Sequence, residues 1–190
     1  MANLITLSDY KDAEGISGSQ DDLQLTYLIG SVSQLVKTYC ATSFVDYVAV
    51  DKEETFNVSF STNALFLNET PVISITEVGI KDTPISTEVV LAPVEYVVDR
   101  HIDTIYRVNS GGRLVDWPIG PDAVRVAYRA GYQETPKDLR LAVIDLINYY
   151  KLDEHKPRQA SLNASRDNYV ATADFPDHIK RVLDLYKVHT

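Results

Sequence analysis

The stretch that most constrains the fold runs from Tyr128 to Tyr150: Tyr-Arg-Ala-Gly-Tyr-Gln-Glu-Thr-Pro-Lys-Asp-Leu-Arg-Leu-Ala-Val-Ile-Asp-Leu-Ile-Asn-Tyr-Tyr. It reads as the end of a strand, a Gly-Tyr hinge, a capped helix start and a helix. Thr135 is placed to cap, Pro136 to take the first helical position, where a missing N–H costs nothing, and Asp138 to complete a capping box. From there Leu139, Ala142, Val143, Leu146, Ile147 and Tyr150 recur at helical spacing and form one apolar face. At about 100° per residue, Leu141 and Ile144 fall on the opposite side. Such a helix needs cover on both sides. Either it is buried inside one domain, or its second face meets a neighbouring subunit.

The rest of the chain supplies the context. Ser8 is placed to cap one or two turns ending near Gly15. Ser19 and Asp22 make a second capping-box pair, ahead of a helix with the stripe Leu25, Leu28, Ile29, Val32, Leu35, Val36 and Tyr39. Gly30 in its middle costs about 1 kcal/mol against alanine, and close packing against another backbone would explain it. From about Phe44 the period changes to two. Phe56, Val58 and Phe60 alternate with polar residues, and Asp51-Lys-Glu-Glu54 ahead of them reads as a solvated edge or loop. Strand candidates follow at 65–67, 72–80, 89–91, 96–98 and 105–108. Asn109-Ser-Gly-Gly112 is a turn between Tyr106-Arg-Val108 and Leu114-Val-Asp-Trp117. In the last strand Val124, Val126 and Tyr128 face one way, and Arg125, Ala127 and Arg129 the other. Leu152 to Asp174 is polar without apolar periodicity, and a connection of that length is expected to be functional or disordered. Pro176 then opens a final helix with Ile179, Val182, Leu183 and Tyr186.

This layout predicts an α+β fold: a small helical bundle, an inserted antiparallel β-rich region, and a C-terminal helix. The expected division is 1–43 with 129–190 for the helical part and 44–128 for the β-rich insertion. At 190 residues the chain is one domain, or one domain with an excursion.

Composition narrows the function classes. The formal net charge of −9 argues against a protein that grips nucleic acid by neutralising phosphates. It is compatible with one that surrounds DNA without holding it, because an acidic wall repels the backbone. Cys40 is the one cysteine, lies in an apolar helical pattern, and is expected to be a small core residue. No apolar run is long enough to span a bilayer, and no membrane partner is expected. The N-terminus lacks the basic start and apolar centre of a signal peptide.

Signs of catalysis are missing. His101, His155, His178 and His189 are scattered, with no HxxxH pair, so no metal is expected. No serine lies in a Gly-x-Ser-x-Gly pattern, and Ser110-Gly-Gly-Arg113 lacks the Gly-Lys-Ser/Thr ending of a phosphate loop. Acidic residues are spread along the whole chain, so a carboxylate pair has no specificity. The expectation is no enzyme and no cofactor. Twelve tyrosines suit half-buried strands and, for some, interfaces.

Four motifs, in order, carry a family resemblance. They are Leu4-Ile-Thr-Leu-Ser-Asp-Tyr-Lys with the acid-started helix Asp21 to Tyr39, Leu65-Phe-Leu-Asn-Glu-Thr-Pro-Val-Ile-Ser-Ile-Thr-Glu-Val78, Gly112-Arg-Leu-Val-Asp-Trp-Pro ahead of Val124-Arg-Val-Ala-Tyr, and Tyr128-Arg-Ala-Gly-Tyr followed by Pro136-Lys-Asp-Leu-Arg-Leu-Ala-Val. Over about residues 4–151 the chain resembles the head–tail connector proteins of tailed bacteriophages, also called adaptor or head-completion proteins. The resemblance implies a structural virion protein at the head–tail interface, assembled in the host cytoplasm. It implies a homo-oligomeric ring, typically dodecameric, below the portal protein. Such a ring extends the DNA channel, lets genomic DNA pass without sequence-specific binding, and docks the tail-completion or stopper protein.

On this reading Leu141, Ile144 and Tyr149 are candidates for the ring interface. Arg181, Tyr186, Lys187 and His189, in a terminal helix with cationic and aromatic residues near its end, are candidates for contact with the portal. The alternative is a β-rich carbohydrate- or protein-binding module of a phage tail, which the strands and tyrosines also allow. A hydrolase is the third and most distant reading.

Overall fold

A computed structural model describes residues 2–152 and 175–188. The fold is α+β, as expected, and divides into two compact units: Met1–Ala41 with Thr135–His189, and Thr42–Glu134.

The first unit is helical. Helix α1 (Leu7–Glu14) starts at Thr6, whose hydroxyl accepts from the Asp9 N–H while the Asp9 carboxylate accepts from the Thr6 N–H. The cap is therefore Thr6, two residues before the expected Ser8. Gly15 ends the helix in the left-handed conformation that glycine adopts without a Cβ penalty. Helix α2 (Asp22–Cys40) buries Leu25, Ile29, Val32, Ser33, Val36, Lys37 and Cys40. Its stripe is rotated from the expected one, because Lys37 turns inward to donate to the Ala2 carbonyl (2.7 Å) and the Ser33 hydroxyl accepts from the Leu4 N–H (3.1 Å). Asp21 at the N-cap makes no side-chain cap bond, and Asp22 instead pairs with Lys11 at 2.9 Å, so the Ser19–Asp22 capping box does not form. Nor is Gly30 needed for close packing: a Cβ there would lie 3.8 Å from the Asn3 side chain, an ordinary contact. Helix α3 (Lys137–Lys151) packs against α2 and helix α4 (Asp177–Asp184).

The second unit holds seven strands: β1 (Lys52–Val58), β2 (Ala64–Phe66), β3 (Val72–Ile80), β4 (Val89–Val90), β5 (Tyr96–Asp99), β6 (Thr104–Arg107) and β7 (Gly120–Ala130). They form two antiparallel sheets, ordered β1-β7-β3-β4 and β2-β6-β5. The alternation in β7 sends Val124, Val126 and Tyr128 into the core, where they meet Val78, Ile80, Leu67, Ile105 and Trp117. Asn109–Gly112 makes the expected turn, with Asn109 N–H to Arg113 O at 2.9 Å and Gly112 N–H to Asn109 O at 2.8 Å.

Asp51–Glu54 lies at the expected edge, with Glu53 exposed, but it is not solvated throughout. Lys52 begins β1, and Glu54 is buried because Tyr128 donates to it at 2.7 Å and the Asn68 N–H at 3.2 Å. The same tyrosine oxygen accepts from the Glu69 N–H at 3.0 Å. The buried Glu69 carboxylate in turn collects the Thr42 hydroxyl and the Ser43 N–H, each at 2.9 Å, and Lys52 at 3.3 Å. Both buried carboxylates are thus paired, which a stable fold requires. Burial first, and Glu54 beside it second, push the Tyr128 hydroxyl pKa above its ordinary value.

The hinge expected at Gly131-Tyr132 is pinned. The Gly131 N–H donates to Pro71 O at 2.9 Å and the Tyr132 N–H to Phe44 O at 2.7 Å. Gly131 has φ +105°, and a Cβ there would collide with the Phe44 carbonyl.

Candidate assembly surface

Helix α3 is covered on more than one side by its own unit. Its N-cap position is Pro136 rather than Thr135, because the Thr135 hydroxyl is buried and donates to the Leu4 carbonyl at 2.5 Å. Leu139, Ala142, Val143, Leu146 and Ile147 form the buried face that their spacing predicts. Ile144, placed on the opposite face, is buried too, at 8% exposure. Helix α1 accounts for part of that cover. The Tyr10 hydroxyl donates to Asn148 (2.6 Å), the Asn148 amide to Glu14 (2.9 Å), and Arg140 to Asp9 (3.3 Å). For Ile144, then, the second side of α3 is met within the chain, and this side chain offers no surface to a neighbour. Leu141 differs: it is 61% exposed, while the other aliphatic side chains of this helix are buried. Tyr149 is half-buried, stands edge-on to Tyr150 with ring centres 5.5 Å apart, and lines a hollow of about 210 Å³ with Leu152, Pro176 and Ile179.

The terminal helix is anchored at both ends of its packing face. Ile179 and Leu183 are buried. The Tyr39 hydroxyl donates to Asp184 at 2.6 Å, and the Val188 N–H to Cys40 O at 3.0 Å. Cys40 is fully buried, as expected, and burial pushes its thiol pKa up to about 12, with the Asp184 carboxylate adding to the rise. Of the four expected partner-contact residues, Tyr186 is half-buried and donates to Asp138 at 2.7 Å. That bond holds the Asp138 carboxyl below the usual carboxylate range. Lys187 is exposed, with its ammonium 4.9 Å from the centre of the Tyr39 ring. Arg181 is exposed on α4, and His189 lies outside the described residues, as does the expected connection at 153–174.

Spacing did not single out two further exposed side chains of the helical unit. Leu23 is 91% exposed and Tyr27 78%. They lie one turn apart on α2, outside the buried stripe. Their one sequence signal is that an apolar pair at i, i+4 falls off that stripe.

In the β-rich unit, the register Ala64–Tyr106–Val97 and the spacing of Phe66 from Ala64 put these four on the outer face of the three-stranded sheet, with Phe66 and Val97 more than half exposed. The outer face of the other sheet is charged. Arg125 reaches Glu88 at 2.6 Å, Glu53 at 3.8 Å, and Glu77. Those bonds raise the Arg125 pKa and, through Arg125, hold Glu88 below its ordinary value.

Among the described residues no group of three or more His, Cys, Asp and Glu side chains is placed to hold a metal, and no helix is long and apolar enough to cross a membrane.

No curated protein sequence is a significant match. Solved structures share the fold. A chain from the neck of an empty GTA particle computed with C6 symmetry aligns at a TM-score of 0.61 and 15% identity, covering 98% of this chain and 91% of that one. A chain from the neck of a native GTA particle computed with C12 symmetry aligns at 0.57 and 16%, covering 100% and 96%. One from the virion of a native gene transfer agent particle aligns at 0.60 and 15%, covering 98% and 91%. The head completion protein model matches residues 3–189, across both units and the connection between α3 and α4. On that match the chain belongs to the head completion protein family, a structural family of the phage head–tail junction.

Proposed function

We propose that copies of this chain assemble as a ring, dodecameric in the completed particle, at the head–tail interface of a phage or phage-like virion. The ring lies below the portal protein, extends the DNA channel, and docks the tail-completion or stopper protein. In this reading the helical unit is the connector core and the β-rich unit an insertion into it.

The observation that carries the proposal is the match of residues 3–189 to the head completion family. Physical features agree with it. Relatives of the same fold come from necks computed with C6 and C12 symmetry. A net charge of −9 suits a channel that must pass DNA without holding it. Leu141 is a large apolar side chain left in water on a helix whose other apolar residues are covered, and Tyr149 lines an adjoining hollow. We assign both to the ring interface. Arg181 and the Tyr186–Lys187 end of the chain, a cationic and aromatic edge, are assigned to the portal.

Removing the protein from an assembling particle tests the role. The expected product is a DNA-filled head that leaks its DNA or fails to attach a tail. Heads that retain their DNA and bear tails without it would overturn the proposal.

A further inference from the structure

Helix α2 has an outer face that carries no charge. Leu23, Tyr27, Ser31, Gln34, Leu35 and Thr38 are all exposed, and at about 100° per residue they fall within about 120° of arc. The helix has just two charged residues, and neither is on this face: Lys37 is buried, and Asp22 is paired with Lys11. The solvent side of a helix is ordinarily its charged side. Charge depletion with exposed aromatic and aliphatic residues marks the core of a protein interface.

Three polar side chains on this face already bond within their own helix. The Ser31 hydroxyl donates to Tyr27 O at 3.0 Å, the Thr38 hydroxyl to Gln34 O at 2.9 Å, and the Gln34 amide to the Thr38 hydroxyl at 3.3 Å. Covering them strands few donors, so desolvation is cheap. An apolar occupant gains the Leu23 and Tyr27 side chains, 91% and 78% exposed.

Charge selects the occupant. Each copy carries a net −9, so a face without charge lets a second copy approach without bringing like charges together there. A partner recruited by electrostatics would choose the acidic surface instead. An uncharged face on a strongly acidic chain therefore fits a second copy of that chain. A ring of more than two copies further requires two different patches, one meeting the other head to tail. Leu141, on α3, provides a separate exposed apolar side chain.

We propose that the outer face of α2, centred on Leu23 and Tyr27, receives the Leu141 patch of the neighbouring copy in the ring. This rests on the ring reading above and names both sides of its lateral contact.

The test uses the full chain, with the portal present and absent. Leu23→Cys and Leu141→Cys are made singly and together; Cys40 is buried and does not compete. Under mild oxidation the double variant is expected to give a ladder of covalently linked oligomers, and each single variant to stay uncrosslinked. Tyr27→Lys is expected to raise the concentration needed for ring formation at least tenfold, with an unchanged melting temperature. Wild-type rings with no ladder in the double variant, a dimer from Leu23→Cys alone, or Tyr27→Lys rings at the wild-type concentration would each overturn the α2 assignment while leaving the ring reading intact. A wild-type chain that forms no ring under either condition overturns both.

Discussion

Leu141 and Ile144 are three residues apart on one helix, and sequence spacing treats them as a pair. Replacing Leu141 by Asp and, separately, Ile144 by Ala sets interface against core. Leu141 is 61% exposed, so its change leaves the isolated fold within about 0.5 kcal/mol, as surface substitutions usually do. Ile144 is 8% exposed, and its truncation removes buried methyl groups and leaves a cavity, a loss of about 2–5 kcal/mol. Assembly reverses the order. Full burial of a leucine is worth about 1.5–3 kcal/mol, and with 61% of Leu141 still in water about 1–2 kcal/mol remains to be gained at an interface. About 1.4 kcal/mol is a factor of ten in affinity. Aspartate forfeits that gain and adds an unpaired buried carboxylate, so each contact should weaken by more than tenfold. Circular-dichroism melting reads the first effect and mass photometry the second. The reasoning is refuted if Leu141→Asp melts as low as Ile144→Ala, or if it forms rings at the wild-type concentration.

Three further outcomes follow from the packing. Gly131→Ala should destabilise by about 3 kcal/mol, combining left-handed strain with displacement of the Phe44 carbonyl that holds the Tyr132 N–H; an unchanged denaturant midpoint would contradict it. Gly30→Ala should stabilise by about 0.5–1 kcal/mol, because the added methyl meets just the Asn3 side chain at 3.8 Å and helix propensity improves; a lower melting temperature would show a closer neighbour than the one seen. Asp9, through the Thr6 N–H and hydroxyl, and Asp138, through Tyr186, have folded pKa values below the ordinary 3.8. Their contribution is full above that value and is lost as pH falls through the folded values, so the helical unit should weaken below about pH 4. Tyr186→Phe should move the Asp138 titration, followed by carboxyl-carbon chemical shift, back up toward 3.8; a wild-type Asp138 already titrating there would remove the basis for this.

Much of the fold was legible because local pattern and tertiary demand agree. The β-branched run at 72–80 is β3 to the residue, and the alternation of Val124, Val126 and Tyr128 marks the buried side of β7. Misreadings fall where a distant group claims a side chain. Thr135 sits in a good capping sequence, yet its hydroxyl goes to Leu4 in another segment of the helical unit. Glu54 looks like a surface acid until Tyr128, far along the chain, donates to it. Spacing places Leu35 in the buried stripe of α2, yet Lys37, which turns in to the Ala2 carbonyl, is buried while Leu35 is exposed.

The assembly surface was half legible for a related reason. Two apolar faces on α3 anticipate a helix covered on more than one side, but spacing does not say whose atoms supply the cover. For Ile144 the cover lies within the chain. Leu141 alone of the pair is left in water. The uncharged face of α2 was passed over because a buried stripe is found by where apolar residues recur, whereas this face is defined by where charge is missing. The connection at 153–174 had no motif to match and lies outside the described residues.

Electron microscopy of the purified chain, alone and mixed with its portal, bears most directly on the central claim. The account predicts closed rings with a central opening, coaxial with the portal when both are present. A chain that stays monomeric in both preparations, and that leaves the portal's lower face bare, would contradict it.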